Sequence, residues 1–160
     1  MKGKSYALGL DFGTNSARAL LVECSSGAEV ADAVVNYASG DQGVVLDRKN
    51  HLVARQHPKD WLLAMTKAVH AAVRKAKKHR GFSPENIIGI GVDTTGSTPL
   101  PVDGGGAPLV FKKEFSNNLN ALAWLWKDHS SYAEAEEIIE AARGHSPQYL
   151  EQYGGRYYSE

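Results

Sequence analysis

Gly9-Leu10-Asp11-Phe12-Gly13-Thr14-Asn15-Ser16-Ala17-Arg18 is the stretch that decides the fold. An apolar run over residues 6–10 ends on an acidic residue, a polar turn follows, and a second apolar run covers residues 17–23. Two such runs joined by a Gly-Thr-Asn-Ser turn read as a β-hairpin. A carboxylate at a strand end, beside a tight glycine turn, has a chemical use. Asp11 can hold a divalent metal or its waters, and the turn beginning at Gly13 can aim successive backbone N–H groups at a phosphate. Thr14, Asn15 and Ser16 add side-chain donors, and Arg18 follows closely enough to neutralise phosphate charge. Mg2+ suits such a site because it keeps several waters and needs only one or two carboxylates. An ordinary hairpin turn, with Asp11 and Asn15 bonding their own backbone, uses the same residues. On this segment alone both readings stand.

Working outward, residues 29–37 give a third candidate strand through Val30, Val34 and Val35. Residues 39–57 are polar and rich in Gly, Asp and Asn, with a short Val44-Val45-Leu46 run inside. Pro58 suits the first position of a helix, where its missing N–H costs nothing. Trp61, Leu62, Met65, Val69, Ala72, Val73 and Ala76 then recur at helical spacing and predict the buried face. Lys75, Lys77, Lys78, His79 and Arg80 favour the negative end of that helix, and Gly81 is a natural stop. The basic run reads as helix-end charge on a solvated face rather than a nucleic-acid patch.

Ile87-Ile88-Gly89-Ile90-Gly91-Val92 predicts a central strand buried on both faces. It delivers Asp93, Thr95, Gly96, Ser97 and Thr98 at its C-terminal end, where ligands bind in α/β sheets. Gly96 lets a ligand approach the backbone, and the four polar residues can bond sugar hydroxyls. The plain alternative is a strand-end turn satisfied by its own short polar side chains. Asp103-Gly104-Gly105-Gly106 reads as a hairpin turn. Residues 117–142 predict one or two helices through Leu119, Leu122, Trp126, Ala133, Ile138 and Ile139, ended by Gly144. Ser146-Pro147 starts another short one. Strands, helix, strand and helix together make an α/β chain.

Composition narrows the function. The chain has 160 residues, about one domain of ordinary size. Its 18 Lys and Arg balance its 18 Asp and Glu, so nothing favours nucleic acid as a partner. The single cysteine, Cys24, rules out an intrachain disulfide and reads as a small buried hydrophobe in an apolar run. None of the six histidines pairs at metal-ligand spacing. Asp11 and Arg18 break any leader-like apolar stretch near the start. No segment approaches the roughly 20 apolar residues that span a bilayer, so no membrane partner is expected. The cytoplasm is the expected compartment.

Asp11-Phe12-Gly13-Thr14-Asn15-Ser16-Ala17-Arg18 resembles the first phosphate motif of the FGGY carbohydrate kinases, and its continuation the ribulokinase branch. Gly91-Val92-Asp93-Thr94-Thr95-Gly96-Ser97-Thr98 is similar to that branch's sugar-side strand end. Leu125-Trp126-Lys127-Asp128-His129 with Ala133-Glu134-Ala135, and Tyr153-Gly154-Gly155-Arg156 with Ser159-Glu160, are similar to its later stretches. Four collinear matches make the resemblance specific. It implies an α/β, ribonuclease-H-like domain of the actin and hexokinase type, with a mixed sheet flanked by helices and incomplete within this chain. It implies ATP and Mg2+ as cofactors and a ketopentose as substrate, L-ribulose or, in another pentulose kinase of the family, D-ribulose. By position, Asp11 would bind the Mg2+ shell, Gly13, Thr14, Asn15, Ser16 and Arg18 would line the phosphates, and Asp93, Thr95, Gly96, Ser97 and Thr98 would face the sugar.

The family's catalytic aspartate and adenosine motifs lie beyond residue 160. The chain is therefore expected to be part of an N-terminal domain, to lack the second domain and the base, and to be inactive by itself. A homo-oligomer of the longer protein is left open. The rival reading is a metal-dependent nuclease of the ribonuclease-H-like or junction-resolvase type, with Asp11 and Asp93 as a two-metal pair. A non-catalytic nucleotide-binding remnant is the third.

Overall fold

The computed structural model describes residues 4–152 and 154. In chain order the elements are β1 (Tyr6–Phe12), β2 (Ser16–Glu23), β3 (Glu29–Asn36), β4 (Val45–Leu46), β5 (Ala54–Gln56), α1 (Pro58–Ala76), β6 (Ile87–Thr94), β7 (Ala123–Trp124), α2 (Tyr132–His145) and α3 (Gln148–Glu151), with several 3-10 turns. They divide into two compact units. One holds the residues up to Val45 together with Gln56–Gly96, and the other holds Leu46–Arg55 and the residues from Ser97 onward.

The first unit is a four-stranded mixed sheet in the order β3-β2-β1-β6, with α1 packed on one face. β1 pairs antiparallel with β2 and parallel with β6, while β2 pairs antiparallel with β3. Alternation along a strand sends successive side chains to opposite faces. Leu8 of β1, Ala19 and Leu21 of β2, and Ala31 and Ala33 of β3 thus share the face beneath α1. The helix answers with Ala64, Ala68, Ala72 and Ala76, one every fourth residue and all buried. Alanine against alanine lets helix and sheet backbones approach closely.

This corrects part of the expected helix face, of which Ala72 and Ala76 are buried as read. Leu62 is exposed, and Trp61, Met65, Val69 and Val73 are only partly buried. The larger residues flank a stripe of small ones because the sheet below offers little room. The start of the helix was legible. His57 accepts the Lys59 N–H through Nδ1 at 3.1 Å, and Pro58 follows it. The helix stops at Ala76, inside the basic run, with Lys75 in its last turn and Lys77 to Arg80 beyond it, and the chain turns through Gly81 at φ 87°.

β6 corrects a second expectation. It is the sheet's edge among the described residues, and its apolar side chains Ile88, Ile90 and Val92 are 71, 65 and 63% exposed. Its apolar composition was read rightly, but α1 covers β1 to β3 and leaves β6 bare. Cys24 is likewise exposed, because the chain turns there at the end of β2.

The second unit holds the small sheet β4-β5-β7, apart from the boundary residues Val45 and Gln56. Arg55 is buried in it. It pairs with the buried Asp128, lies 4.0 Å over the Trp124 ring, and donates from Nε to the Leu119 carbonyl at 3.2 Å. Asp128 also accepts the Ala54 N–H at 2.6 Å and the Ser130 hydroxyl at 2.5 Å.

Residues 117–131 do not form the expected helix. Asn118 caps a 3-10 turn through the Asn120 N–H at 2.9 Å, and β7 follows. The Trp124 and Leu125 amides reach across to the carbonyls of Pro99 and Ala54. Helix α2 begins only at Tyr132 and runs through Gly144 to His145, burying Ala135 and Ile139. The glycine-rich stretch is a turn, as read. Asp103 pairs with Lys112 and accepts the amides of Ala107 and Gly105, which together hold its carboxyl down at about 2. Among the described residues, no helix is long and apolar enough to cross a membrane.

Candidate functional site

Register places the first site. In the β1–β2 ladder Arg18 stands opposite Asp11, and in the β1–β6 ladder Asp93 does. Opposed residues share a face, and neighbouring strands lie about 4.8 Å apart. Arg18, Asp11 and Asp93 therefore form one row across three strands, on the face away from α1. Arg18 Nη1 donates to Asp11 Oδ2 at 3.1 Å. Gly9 and Gly91, opposite each other in the same parallel ladder, leave no side chains beside the row. The result is a groove of about 460 Å3 lined by Gly9, Asp11, Arg18, Leu20, Gly91 and Asp93. A Cβ at Gly91 would meet nothing within 4 Å, so a ligand can approach the backbone there.

The turn between β1 and β2 is held from behind by its carbonyls. Gln56 Nε2 donates to the Thr14 oxygen at 2.7 Å and, more distantly, to the Gly13 oxygen at 3.5 Å. The Tyr37 N–H donates to the Asn15 oxygen at 2.9 Å. Every peptide here is trans, so each C=O points opposite to the N–H that shares its plane. Anchoring these carbonyls inward thereby turns the amides of Thr14, Asn15 and Ser16 away from the groups that hold them. The Gly13 amide instead closes the turn on the Ser16 oxygen at 2.9 Å.

The side chains contribute less than the sequence suggested. Asn15 Nδ2 donates to the Gln42 carbonyl at 2.8 Å, and Ser16 is buried. Tyr37 stands behind the turn. Burial first, and then the nearby Asp11 and Asp60 charges, push its phenol up to about 12.

At the end of β6, Asp93 is exposed and its Oδ1 accepts the Thr94 N–H at 3.0 Å. The Thr95 N–H donates to the Phe12 carbonyl at 3.1 Å, tying this strand end to β1. A Cβ at Gly96 would meet nothing within 4 Å. Asp93, Thr95 and Gly96 thus lie in the first unit with Asp11, while Ser97, at φ 48°, and Thr98 open the second unit.

Two carboxylates on neighbouring strands, one already paired with Arg18, suit a divalent ion that keeps most of its waters. Among the described residues no three His, Cys, Asp or Glu gather into a fuller cage. Two residues of this region escaped the sequence reading, Gln56 and Tyr37. Both sat beside recognisable signals, but a polar stretch gives no sign that one of its glutamines is buried.

The model of the FGGY family of carbohydrate kinases, N-terminal domain, matches residues 6–155. The chain belongs to the FGGY family of carbohydrate kinases. It is 40% identical over 158 residues to a ribulokinase of Vibrio parahaemolyticus, covering 98% of this chain and 27% of that protein. It is 39% identical over 162 residues to a ribulokinase of Geobacillus thermodenitrificans, covering 99% and 28%. The chain thus spans about a quarter of the length of the curated relatives it matches. A solved xyloylose (xylulose) kinase from Brucella ovis superposes with a TM-score of 0.65 at 25% identity, over 89% of this chain and 25% of that one.

The fold is the ribonuclease-H-like one of actin and hexokinase, represented here in part. The nuclease alternative is not favoured. Of the later family stretches, Leu125 and Asp128 are buried and serve the second unit's interior. The stretch from Tyr153 lies outside the described residues apart from Gly154.

Proposed function

We propose that the chain is the front part of the N-terminal domain of an ATP-dependent ribulokinase, which phosphorylates the terminal hydroxyl of a ketopentose, L-ribulose, in arabinose breakdown. The observation that carries this reading is the Arg18–Asp11–Asp93 row beside a turn whose carbonyls are anchored inward. The ribulokinase relatives at 40 and 39% identity support it. Asp11 would hold the hydrated Mg2+, whose charge offsets that of the phosphates when bound. The backbone from Gly13 through Ser16 would face phosphate oxygens, with Arg18 swinging between Asp11 and phosphate. Asp93, Thr95, Gly96, Ser97 and Thr98 would bond sugar hydroxyls.

Phosphoryl transfer needs mainly positioning and charge neutralisation, which this set can supply. The sugar oxygen attacks the γ-phosphorus, ADP leaves, and the hydroxyl proton passes to a base. On this reading the base and the second domain belong to sequence past residue 160, and the 160-residue chain alone does not turn over. ATP and sugar phosphates place the reaction in the cytoplasm.

The test is ADP release by the protein expressed from its complete gene, with L-ribulose, D-ribulose and D-xylulose as acceptors. L-ribulose is expected to be the best. Asp11→Asn is expected to lower kcat at least a hundredfold, on the order of what removing one preorganised charge contact costs. Absence of sugar-dependent ADP release from the unmodified protein would sink the reading.

A further inference from the structure

We propose that Gln56 is a positioning residue for phosphate binding, acting through the backbone of the β1–β2 turn rather than by touching a ligand. This rests on the ATP-dependent reading of the same site. Gln56 is 1% exposed, and its Nε2 donates to the Thr14 oxygen at 2.7 Å and to the Gly13 oxygen at 3.5 Å. Its Oε1 is buried and accepts no hydrogen bond among the described residues. A buried amide with only its donor half engaged is costly for the fold. It is accounted for by what that donor holds.

The geometry ties that donor to one peptide above all. With the Thr14 carbonyl fixed on Gln56, the trans peptide aims the Asn15 N–H the opposite way. The Tyr37 amide fixes the next carbonyl, that of Asn15, at 2.9 Å. If the Thr14–Asn15 peptide flips, a donor facing the phosphates becomes a carbonyl oxygen facing them, which repels an anion. Gln56 is also the residue before His57, the cap of α1, so its backbone cannot drift from the turn without disturbing the helix start.

The decisive variants are Gln56→Glu and Gln56→Met, both made in the protein expressed from the complete gene. Glutamate keeps the shape but sets a carboxylate oxygen against the Thr14 carbonyl. Methionine keeps the length and removes the donor without adding charge. If Gln56→Glu fails to fold, Gln56→Met carries the test.

Calorimetric titration is expected to show MgATP affinity weakened about tenfold or more, with sugar affinity unchanged. KM for MgATP is expected to rise while KM for the sugar stays put. Loss of positioning on this scale is within the roughly hundredfold that a misplacement of about 1 Å can cost. Amide exchange over residues 13–16 should quicken in both variants. In Gln56→Glu, MgATP affinity should recover as pH falls and the protonated carboxyl regains a donor.

A purely structural role would lower the active fraction and leave every KM and Kd unchanged, and that result overturns the proposal. An active kinase whose variants bind MgATP normally sinks the role of Gln56 alone. An unmodified protein that does not bind MgATP sinks the ATP-dependent reading, and the proposal with it.

Discussion

Asp128→Ala tests how the second unit is held together. Asp128 is 3% exposed and Arg55 1%. Removing the carboxylate strands a buried guanidinium, with only the Trp124 ring and two carbonyls as company. It also orphans the Ala54 amide, which Asp128 accepts at 2.6 Å. Breaking a buried pair from one side costs about 3–5 kcal/mol, chiefly through the uncompensated charge. With a urea slope of about 2 kcal/mol/M, a loss of about 4 kcal/mol moves the unfolding midpoint down by roughly 2 M.

The assay is urea unfolding followed by circular dichroism and by tryptophan fluorescence, since Trp124 lies against Arg55. The companion is Arg55→Met with Asp128→Leu, which removes both charges and keeps apolar volume. It is expected to regain at least half of the lost stability, the remainder reflecting the orphaned Ala54 amide. A loss below about 1 kcal/mol in the single variant, or a double variant as unstable as the single, would refute the reasoning.

Ala68 of α1 is fully buried against the sheet, so Ala68→Leu is expected to destabilise by about 1–3 kcal/mol in urea unfolding, whereas Leu62→Ala on the exposed side should cost under about 0.5. Gly43 has φ 89°, and a Cβ there would sit 2.6 Å from the Tyr37 Cβ. Gly43→Ala should therefore cost clearly more than Gly27→Ala, where φ is 71° but nothing lies within 4 Å, and parallel thermal melts check the order. Tyr37 keeps its proton up to about 12, against an ordinary 10.0. The folded state binds that proton more tightly, so the stability it contributes is complete below pH 10.0 and declines as pH rises toward about 12. Tyr37→Phe should remove that alkaline decline and should be neutral or stabilising at pH 7, because the buried hydroxyl has no hydrogen-bond partner among the described residues.

Strand alternation and turn chemistry made much of the first unit legible. The runs on either side of the Gly-Thr-Asn-Ser turn became β1 and β2 with the pairing the turn length allows, and Pro58 marked the start of α1. What failed was the inference from apolar bulk to burial. Leu62, Ile88, Ile90 and Val92 are exposed, while the helix–sheet contact falls on alanines that carry little weight in a hydrophobic pattern. Burial is decided by which element lies across the strand, and α1 reaches only β1 to β3. The helix expected over residues 117–131 failed for a different reason. Asn118 bonds its neighbouring backbone locally, and the Trp124 and Leu125 amides find partners in Pro99 and Ala54, far away in sequence.

The site shows the same division between local and distant causes. Asp11 and Arg18 are a hairpin pair, so the spacing of two residues around a four-residue turn brings them together, and the Arg18 contact at 3.1 Å follows from the register. Asp93 joins the row through a parallel pairing that the sequence did not specify. The turn itself was read as a set of donors, with Asn15 among them. Its side chain instead holds Gln42, and the direction of its backbone amides is fixed by carbonyls bound to Gln56 and Tyr37. On the proposed reading the turn binds phosphate with its amides aimed outward, and a peptide can aim one end outward only if something grips the other. The motif residues supply the amides; the grip comes from residues more than 20 positions along the chain, Tyr37 at the end of the third strand and Gln56 in a stretch whose sequence shows only polarity.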